Sequence, residues 1–242
     1  MRIKQSTLAY LKGDKFSNGL EVEFDWDADD ARYLSRIDWL VDLCTGKRVI
    51  HAGCVDHSTQ QITQKLTRGK WLHERLVHCT RHCLGVDKSA AGIEYLRTEL
   101  GYTDVECLDL LDPPRQSITN ASWDYLILGE VLEHIDNPVA FLSGIRARYA
   151  HCVEELMITV PNAFARDNFR GAKRNVEAIN TDHRYWFTPY TLCKIVSAAG
   201  FTVDALRFCR NGVIKKRTAL KNAWFKRHPL LRNNIILTAR LR

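Results

Sequence analysis

Short apolar runs alternate with longer amphipathic stretches along this 242-residue chain. Apolar runs bounded by turn residues predict buried strands, whereas apolar positions at helical spacing predict helices with one buried face. Strands that alternate with helices favour a mostly parallel sheet that is covered on both faces. We therefore expect an α/β fold built on a doubly wound sheet.

The pattern predicts strands at seven places and helices at five. The strands are expected at residues 48–52, 83–87, 104–108, 123–128, 155–160, 201–208 and 234–241. The helices are expected at residues 27–44, 71–82, 90–100, 138–149 and 188–199. Gly101 and Gly200 follow two of these helices directly, and glycine is a common helix terminator.

No internal repeat or low-complexity linker divides the chain. One well-buried domain can account for a sequence of this length. We therefore expect a single domain over residues 1–242. Residues 1–45 are expected to form an N-terminal extension or cap, and residues 211–233 a basic insert before the last strand.

The net charge of +7 is concentrated near the C-terminus. Residues 207–242 contain eleven Lys or Arg and no Asp or Glu, so the rest of the chain is net negative. In the basic insert, Leu220, Trp224 and Phe225 are interspersed with the positive charges. Such a segment could contact a membrane surface, an acidic or phosphate-bearing glycan, or nucleic acid. It could equally be a helix that packs on the sheet by one face.

The sequence gives no sign of a membrane-spanning or secreted protein. No apolar run approaches the ~20 residues that a transmembrane helix needs, and the basic N-terminus is not followed by an apolar core. The eight cysteines show no spacing that suggests a disulfide framework. We expect a cytoplasmic protein, with peripheral membrane contact through the basic insert as one alternative. The oligomeric state is left open.

Polar residues and a glycine follow three of the predicted strands. Gly53 follows the first, Asp87 ends the second and Asp109 follows the third. In a doubly wound sheet, ligands bind at the carboxyl ends of the strands, and a carboxylate there can accept the hydroxyls of a ribose. A glycine lets a ligand approach the backbone closely. The candidate cofactor-binding residues are His51, Gly53, Cys54, Val55, Asp56, Asp87, Lys88, Asp109, Leu110, Gly129 and Glu130.

Together with these strand ends, two further runs resemble the class I S-adenosylmethionine-dependent methyltransferases. They are WDYLILGEVLEHIDNP at residues 123–138 and HRYWFTP at residues 183–189. The resemblance covers about residues 30–210. It implies a Rossmann-like sheet of seven strands whose last strand is antiparallel. It also implies S-adenosylmethionine as cofactor, with S-adenosylhomocysteine as the product.

The glycine-rich loop departs from the pattern of that family. His51 stands where the family usually has an acidic residue, and Val55 where a second glycine is expected. A degenerate methyltransferase fold that serves as a basic binding module therefore remains an alternative. A nicotinamide-binding fold is disfavoured, because its G-x-G-x-x-G fingerprint is absent.

Two glutamates and a histidine follow the predicted fourth strand. Glu130, Glu133 and His134 are three and four residues apart, so on a helix they would share one face. His134 could act as a general base toward an acceptor hydroxyl, because the histidine pKa lies near ~6.5. The candidate catalytic residues are His134, Glu130 and His183.

A divalent cation is the second interpretation of this cluster. The E-x-x-E-H pattern with a later histidine resembles the metal site of small-RNA 2′-O-methyltransferases, and ubiquinone-pathway O-methyltransferases have a related cluster. The resemblance implies Glu130, Glu133, His134 and His183 as ligands. Two carboxylates and two imidazoles suit Mn²⁺, Fe²⁺ or Zn²⁺ better than Mg²⁺.

An oxygen acceptor is favoured, because the Asn/Asp-Pro-Pro-Tyr/Phe motif of many N-methylating relatives is absent. The Leu72-His73 pair and the basic insert resemble features of bacterial surface-polysaccharide tailoring enzymes. We therefore expect methyl transfer to a sugar hydroxyl of a glycan or of its lipid-linked precursor. An RNA ribose and a quinone-like phenol are the alternative acceptors.

Overall fold

A computed structural model of the protein describes residues 1–25, 31–56, 58–212, 214 and 218–241. Its strands are β1 (Arg2–Ile3), β2 (Phe24–Asp25), β3 (Arg48–Ala52), β4 (His82–Asp87), β5 (Val105–Cys107), β6 (Trp123–Gly129), β7 (Val153–Pro161), β8 (Thr202–Cys209) and β9 (Asn234–Arg240). All seven strands expected from the sequence are present. The short strands β1 and β2 were not expected.

The main sheet has seven strands in the order β5-β4-β3-β6-β7-β9-β8. The first five strands in this order, β5, β4, β3, β6 and β7, run parallel to their neighbours. Strand β9 runs antiparallel to both β7 and β8. The predicted α/β fold with an antiparallel last strand is thus confirmed. Strand order reverses between β3 and β6, and their carboxyl ends border the crevice where doubly wound sheets bind ligands.

The helices lie on both faces of this sheet. They are α1 (Leu8–Lys12), α2 (Arg36–Cys44), α3 (Thr59–Thr67), α4 (Leu72–Cys79), α5 (Ala90–Thr98), α6 (Gln116–Thr119), α7 (Pro138–Tyr149), α8 (Arg166–Ala172), α9 (Pro189–Ala198) and α10 (Ala219–Arg227). The five predicted helices correspond to α2, α4, α5, α7 and α9. Short 3₁₀ helices cover Leu132–His134 and Pro229–Leu231.

Two predicted helices are shorter than expected. The helix expected from residue 27 begins at Arg36, because the Ser35 side chain accepts a hydrogen bond from the Asp38 N–H at 3.1 Å and caps it there. Residues 26–30 lie outside the described residues. The helix expected to reach residue 82 ends at Cys79, because Thr80 is extended and the chain enters β4 at His82.

The N-terminal residues and the basic insert both contact strand β8, at one edge of the sheet. The Leu206 N–H of β8 donates to the Met1 carbonyl at 2.9 Å. In α10, the buried Phe225 ring stacks on Tyr33 with ring centroids 5.5 Å apart. The buried Arg232 guanidinium donates to the carbonyls of Phe225, Phe208 and Arg32 at 2.8–3.0 Å. No helix in the described part of the chain is long and apolar enough to cross a membrane.

Candidate active site

A cavity of about 530 Å³ lies at the carboxyl ends of β3, β4, β5 and β6. This volume lies within the range of cavities that bind small molecules. One wall comes from the strand ends and the other from the start of α7. The lining residues are Ala52, Gly53, Val86, Asp87, Lys88, Leu108, Asp109, Leu110, Leu111, Val131, His134, Ile135, Asp136, Asn137, Ala140 and Phe141.

Gly53 brings the backbone against one wall of this cavity. Its φ is +75°, in the left-handed region that favours glycine. A Cβ added there would lie 3.1 Å from the Val131 side chain, which also lines the cavity. A side chain at position 53 would therefore strain the backbone and crowd Val131.

Two carboxylates in the cavity are held in fixed orientations by backbone donors. Asp87 accepts hydrogen bonds from the Val55 N–H at 3.0 Å and the Ser89 N–H at 2.9 Å. Asp109 accepts one from the Leu111 N–H at 2.9 Å. Lys88 lies 3.8 Å from Asp109, so the ammonium and this carboxylate share the same side of the cavity. The two acids can accept ribose hydroxyls and an adenine amino group from a nucleoside.

Val55 contributes its backbone to this arrangement, and its side chain packs elsewhere. A Cβ built on Gly92 of α5 would lie only 2.4 Å from a Val55 methyl carbon, so the valine side chain fills the space over that helix. The second glycine that the family pattern leads one to expect is replaced here by a residue that packs on α5. Strand ends, glycine and carboxylates together fit S-adenosylmethionine.

His51 does not line the cavity. It is 2 % exposed, and its Nδ1 lies 3.3 Å from Nδ1 of the fully buried His73 on α4. Burial lowers the pKa of His73 to about 4. Burial, followed by the nearby His73 and Arg36, lowers the pKa of His51 well below its usual value. Both rings are therefore neutral at pH 7, and one can donate to the other.

This neutral pair predicts a loss of stability in acid. Because both pKa values are lower in the folded state, the stabilisation is complete above pH ~6.5 and is lost as the pH falls toward about 4. We expect the free energy of unfolding to fall less between pH 7 and 4.5 in His73→Leu than in the wild type, by about 2 kcal/mol. Urea denaturation at the two pH values measures this difference.

The matched control is His78→Leu, on the same helix. The His78 side chain is 71 % exposed and lies 2.8 Å from Glu74. Because an exposed pair contributes at most about 1 kcal/mol, we expect this variant to change the pH dependence by less than His73→Leu does. Equal pH dependence in His73→Leu and the wild type would contradict the assignment of a neutral buried pair.

Glu133, His134 and His183 form a compact group beside the cavity. Each contributes one potential ligand atom, and these atoms lie within 4.8 Å of one another. Glu133 is fully buried, and neither of its carboxylate oxygens has a hydrogen-bond partner among the described residues. The His134 and His183 rings meet edge to face, with centroids 4.8 Å apart. Buried polar atoms are rarely left without partners, so this carboxylate is a candidate ligand for a cation.

Two distant segments are joined to build the group. The His134 N–H donates to the Val131 carbonyl at 3.0 Å and closes the 3₁₀ turn that follows β6. The Arg184 N–H donates to the Glu133 carbonyl at 2.7 Å, which fixes His183 beside that turn. His134 also lines the cavity, so the group borders the space assigned to the cofactor.

Glu130 is not part of this group. Its φ is +59°, so the chain turns left-handed after β6 before the 3₁₀ helix begins. Its carboxylate accepts hydrogen bonds from Asn234 Nδ2 at 3.0 and 3.1 Å and from Thr159 Oγ1 at 3.0 Å. The expectation that Glu130 shares a helix face with Glu133 and His134 is therefore wrong.

Burial favours the protonated form of the Glu133 carboxyl. Burial raises the pKa of its carboxyl to about 8, and the negative charge of Glu130 adds to this effect. Arg36 acts in the opposite direction. A bound cation would replace this proton, because it supplies the positive charge that the buried carboxylate lacks.

The predicted site residues separate into three sets. Gly53, Asp87, Lys88, Asp109, Leu110 and His134 line the cavity, whereas Glu133 and His183 lie beside it. The remaining candidates do not line the cavity. They are His51, Cys54, Val55, Asp56, Gly129 and Glu130.

The sequence did not reveal several residues that shape the site. Asn234 and Thr159 hold Glu130, and Val131 and Phe141 line the cavity. Asn234 and Thr159 lie in apolar strands, Phe141 lies in helix α7 and Val131 precedes the 3₁₀ helix, so each resembles an ordinary packing position.

A family model described as a methyltransferase domain matches residues 31–206, well over half of the chain. The chain therefore belongs to this methyltransferase family. Together with the fold and the cavity, the match confirms the expected class: the protein is an S-adenosylmethionine-dependent methyltransferase.

Individual relatives are distant. The chain is 24 % identical to the ubiquinone biosynthesis O-methyltransferase of Aeromonas salmonicida (strain A449), and the match covers 69 % of each chain. A putative methyltransferase from Bacillus halodurans C-125 superposes with a TM-score of 0.52 at 14 % identity, over 85 % of this chain and 98 % of that one.

A third comparison is with magnesium protoporphyrin IX methyltransferase from Synechocystis PCC 6803, solved with bound S-adenosylhomocysteine. It superposes with a TM-score of 0.50 at 18 % identity, over 84 % of this chain and 79 % of that one. Both structural similarities support the fold.

Proposed function

We propose that this methyltransferase transfers the methyl group of S-adenosylmethionine to a hydroxyl oxygen, with a sugar of a glycan as the favoured acceptor. The observation that carries the proposal is the buried Glu133 carboxylate, which lies beside His134 and His183 at the edge of the cavity and has no hydrogen-bond partner in the part of the chain that the structure describes. A hydroxyl is a poor nucleophile until it loses its proton. This group could accept that proton directly, or it could hold a cation that lowers the pKa of the hydroxyl.

The donor set fits a divalent cation. One carboxylate and two imidazoles within 4.8 Å of one another suit Mn²⁺, Fe²⁺ or Zn²⁺ better than Mg²⁺, which prefers oxygen ligands. Glu133, His134 and His183 would hold the ion, whereas Glu130 is bound to Asn234 and Thr159. When bound, such an ion acts as a Lewis acid that lowers the pKa of an oxygen ligand.

The protein's own residues supply positioning and proton transfer. Asp87 and Asp109 anchor the nucleoside end of the cofactor, and Gly53 allows its close approach. His134 lies both on the cavity wall and in the cluster, so it can hold the acceptor oxygen near the transferable methyl group. Without a cation, the His134 imidazole is the group placed to accept the hydroxyl proton.

Two neighbouring hydroxyls would suit this site, because a pair of oxygens can bind one cation together. Sugars present such pairs, and the half-buried Trp186 ring near His183, with centroids 6.4 Å apart, offers a face for a sugar ring. A phenol with adjacent hydroxyls presents the same pair, and similarity to an enzyme of ubiquinone biosynthesis makes it the second candidate. An RNA ribose is the third.

An acceptor panel with controlled metal tests the proposal. We expect EDTA to lower methyl transfer at least tenfold, and Mn²⁺ to restore it, because the hydroxyl then regains its Lewis acid. Transfer of radiolabelled methyl is measured to a vicinal sugar diol, a catechol and an RNA 3′ end, each paired with its monodeoxy analogue.

The paired analogues show whether two hydroxyls are needed, and the panel ranks the acceptors. Transfer to the sugar diol in preference to the others would support the glycan acceptor. No transfer to any hydroxyl of the panel would contradict the oxygen chemistry. Transfer that EDTA does not change for any acceptor would contradict the cation.

A further inference from the structure

Exposed apolar side chains are concentrated beside the candidate active site. Five of the nine large apolar side chains that are exposed in the described residues lie between positions 164 and 185. Phe169 is 59 % exposed and Val176 50 %. The five residues are Phe164, Phe169, Val176, Ile179 and Tyr185. A concentration of exposed apolar side chains is typical of a surface that contacts a membrane or another molecule.

Basic residues lie in the same segments as these apolar residues. Arg166, Arg170, Lys173 and Arg174 lie in or directly after α8, and Lys221, Lys226 and Arg227 lie on α10. The Arg166 guanidinium lies over the Trp224 ring at 4.9 Å, so the two helices are in contact. Leu220, on α10, is 90 % exposed. We call this surface, formed by residues 164–185 and α10, the basic–apolar face.

The acidic residues within positions 164–185 are Asp167, Glu177 and Asp182, and the first two accept hydrogen bonds from neighbouring side chains. Asp167 accepts from Asn233 Nδ2 at 3.4 Å, and Glu177 accepts from the Trp186 indole N–H at 2.8 Å. Across α8, the following turn and α10, basic residues outnumber acidic ones. The surface therefore presents apolar groups within a positive field, which is the pattern of a protein that binds anionic membranes.

We propose that the basic–apolar face docks onto an anionic lipid bilayer. Phenylalanine and aliphatic side chains enter the region between headgroups and acyl chains, while Lys and Arg bind lipid phosphates. Val176, Ile179 and Leu220 have no ring on which a base could stack, which favours a bilayer over single-stranded nucleic acid. This docking goes beyond the proposed reaction and does not depend on which acceptor is methylated.

The face is continuous with the mouth of the cavity. The Tyr185 hydroxyl donates to the Asp136 carbonyl at 2.7 Å, and Asp136 lines the cavity. Arg184 lies between them, with its Nε 2.7 Å from the Asp136 carboxylate. A docked bilayer would therefore lie next to the Glu133–His134–His183 group, where a lipid-borne acceptor could enter.

Co-sedimentation of the full chain with lipid vesicles tests the docking. We expect at least about tenfold tighter binding to vesicles of phosphatidylcholine mixed with phosphatidylglycerol than to phosphatidylcholine alone. Two double variants, Phe169→Ser/Ile179→Ser and Lys173→Glu/Arg174→Glu, should each weaken binding to the anionic vesicles about tenfold or more. Unchanged affinity for S-adenosylhomocysteine shows that both variants are folded.

Matched controls lie outside the face. Phe16→Ser removes an apolar side chain that is 84 % exposed, and Arg68→Glu/Lys70→Glu reverses two charges just after α3. Ile62 of α3 belongs to the same buried cluster as Val105 of β5, and β5 is the edge strand opposite β8. Both controls should bind vesicles as the wild type does.

Three results would overturn the proposal. The first is equal binding of the wild type to both kinds of vesicle. The second is that the control variants weaken binding to anionic vesicles as much as the face variants do. The third is that neither face variant weakens this binding. A parallel filter-retention assay with single-stranded RNA covers the other class of partner. The face would bind nucleic acid instead if the wild type retained RNA but did not bind vesicles. In that case Lys173→Glu/Arg174→Glu would no longer retain RNA.

Discussion

Glu133→Gln is expected to abolish metal-stimulated methyl transfer while the fold remains intact. Glutamine keeps the shape of the protonated carboxyl that burial favours, but it cannot become an anionic ligand. We expect kcat/KM to fall about 10²–10³-fold, since the cation loses its only carboxylate in the Glu133–His134–His183 group. Steady-state methyl transfer with added Mn²⁺ measures this loss.

The same variant has a distinct pH signature in the absence of metal. The folded-state pKa of Glu133 is raised to about 8 from an ordinary value of 4.5, so its contribution to stability is present below pH 4.5 and is lost as the pH rises through about 8. Relative to Glu133→Gln, the wild type should lose on the order of 2–4 kcal/mol of unfolding free energy between pH 5 and 9.

Added Mn²⁺ should reverse that loss in the wild type only, because a ligand that binds the folded state stabilises it. The matched control is Glu154→Gln, an exposed acid at the start of β7, which should resemble the wild type in every measurement. Full activity of Glu133→Gln without metal would show that His134 acts alone as a base, and the cation would be abandoned.

The sheet could be predicted from the sequence because its strands are nearly continuous apolar runs. Helix α7 was predicted at both ends, because the Asn137 side chain caps it and Pro138 occupies its first turn. Helix α3 was missed, since only Ile62 of its nine residues is buried and its pattern resembles a polar loop. Helix α8 is short and largely exposed, so it too gives a weak signal.

Most of the candidate site could be predicted because its residues follow strands, whereas His183 was found only through the resemblance to metal-binding methyltransferases. Asp87, Asp109 and His134 were found in this way, because the carboxyl ends of parallel strands meet at one edge. The partners of Glu130 could not be found. Asn234 is distant in sequence, and the left-handed turn at Glu130 overrides the helical spacing of the motif.

His51 shows the same limit from another direction. Its place in the family pattern suggested a cofactor contact, but it pairs with His73 in the core. That contact depends on how α4 packs on β3 and β4, which no local pattern encodes. Tertiary packing therefore decided the role of both departures from the glycine-rich motif, at His51 and at Val55.

Asp87→Ala is expected to lower the affinity for S-adenosylhomocysteine about 10²–10³-fold. The carboxylate is placed to accept ribose hydroxyls, and charge-assisted hydrogen bonds of this kind contribute about 1.5–3 kcal/mol each. Asp87 also accepts from the N–H groups of Val55 and Ser89, so its removal releases the loop that carries Gly53. Isothermal titration calorimetry with S-adenosylhomocysteine measures the change.

Two further variants separate the contributions. Asp109→Ala should cost only about tenfold, because a single contact to a neutral adenine group is weaker than a bidentate contact to a ribose. Glu94→Ala, an exposed acid on α5, should bind as the wild type does. If Asp87→Ala and Asp109→Ala lost affinity equally, neither would be the ribose anchor in particular. If neither variant lost affinity, the cofactor would not bind in the cavity at the ends of β3, β4 and β5. The role assigned to that cavity would then be wrong.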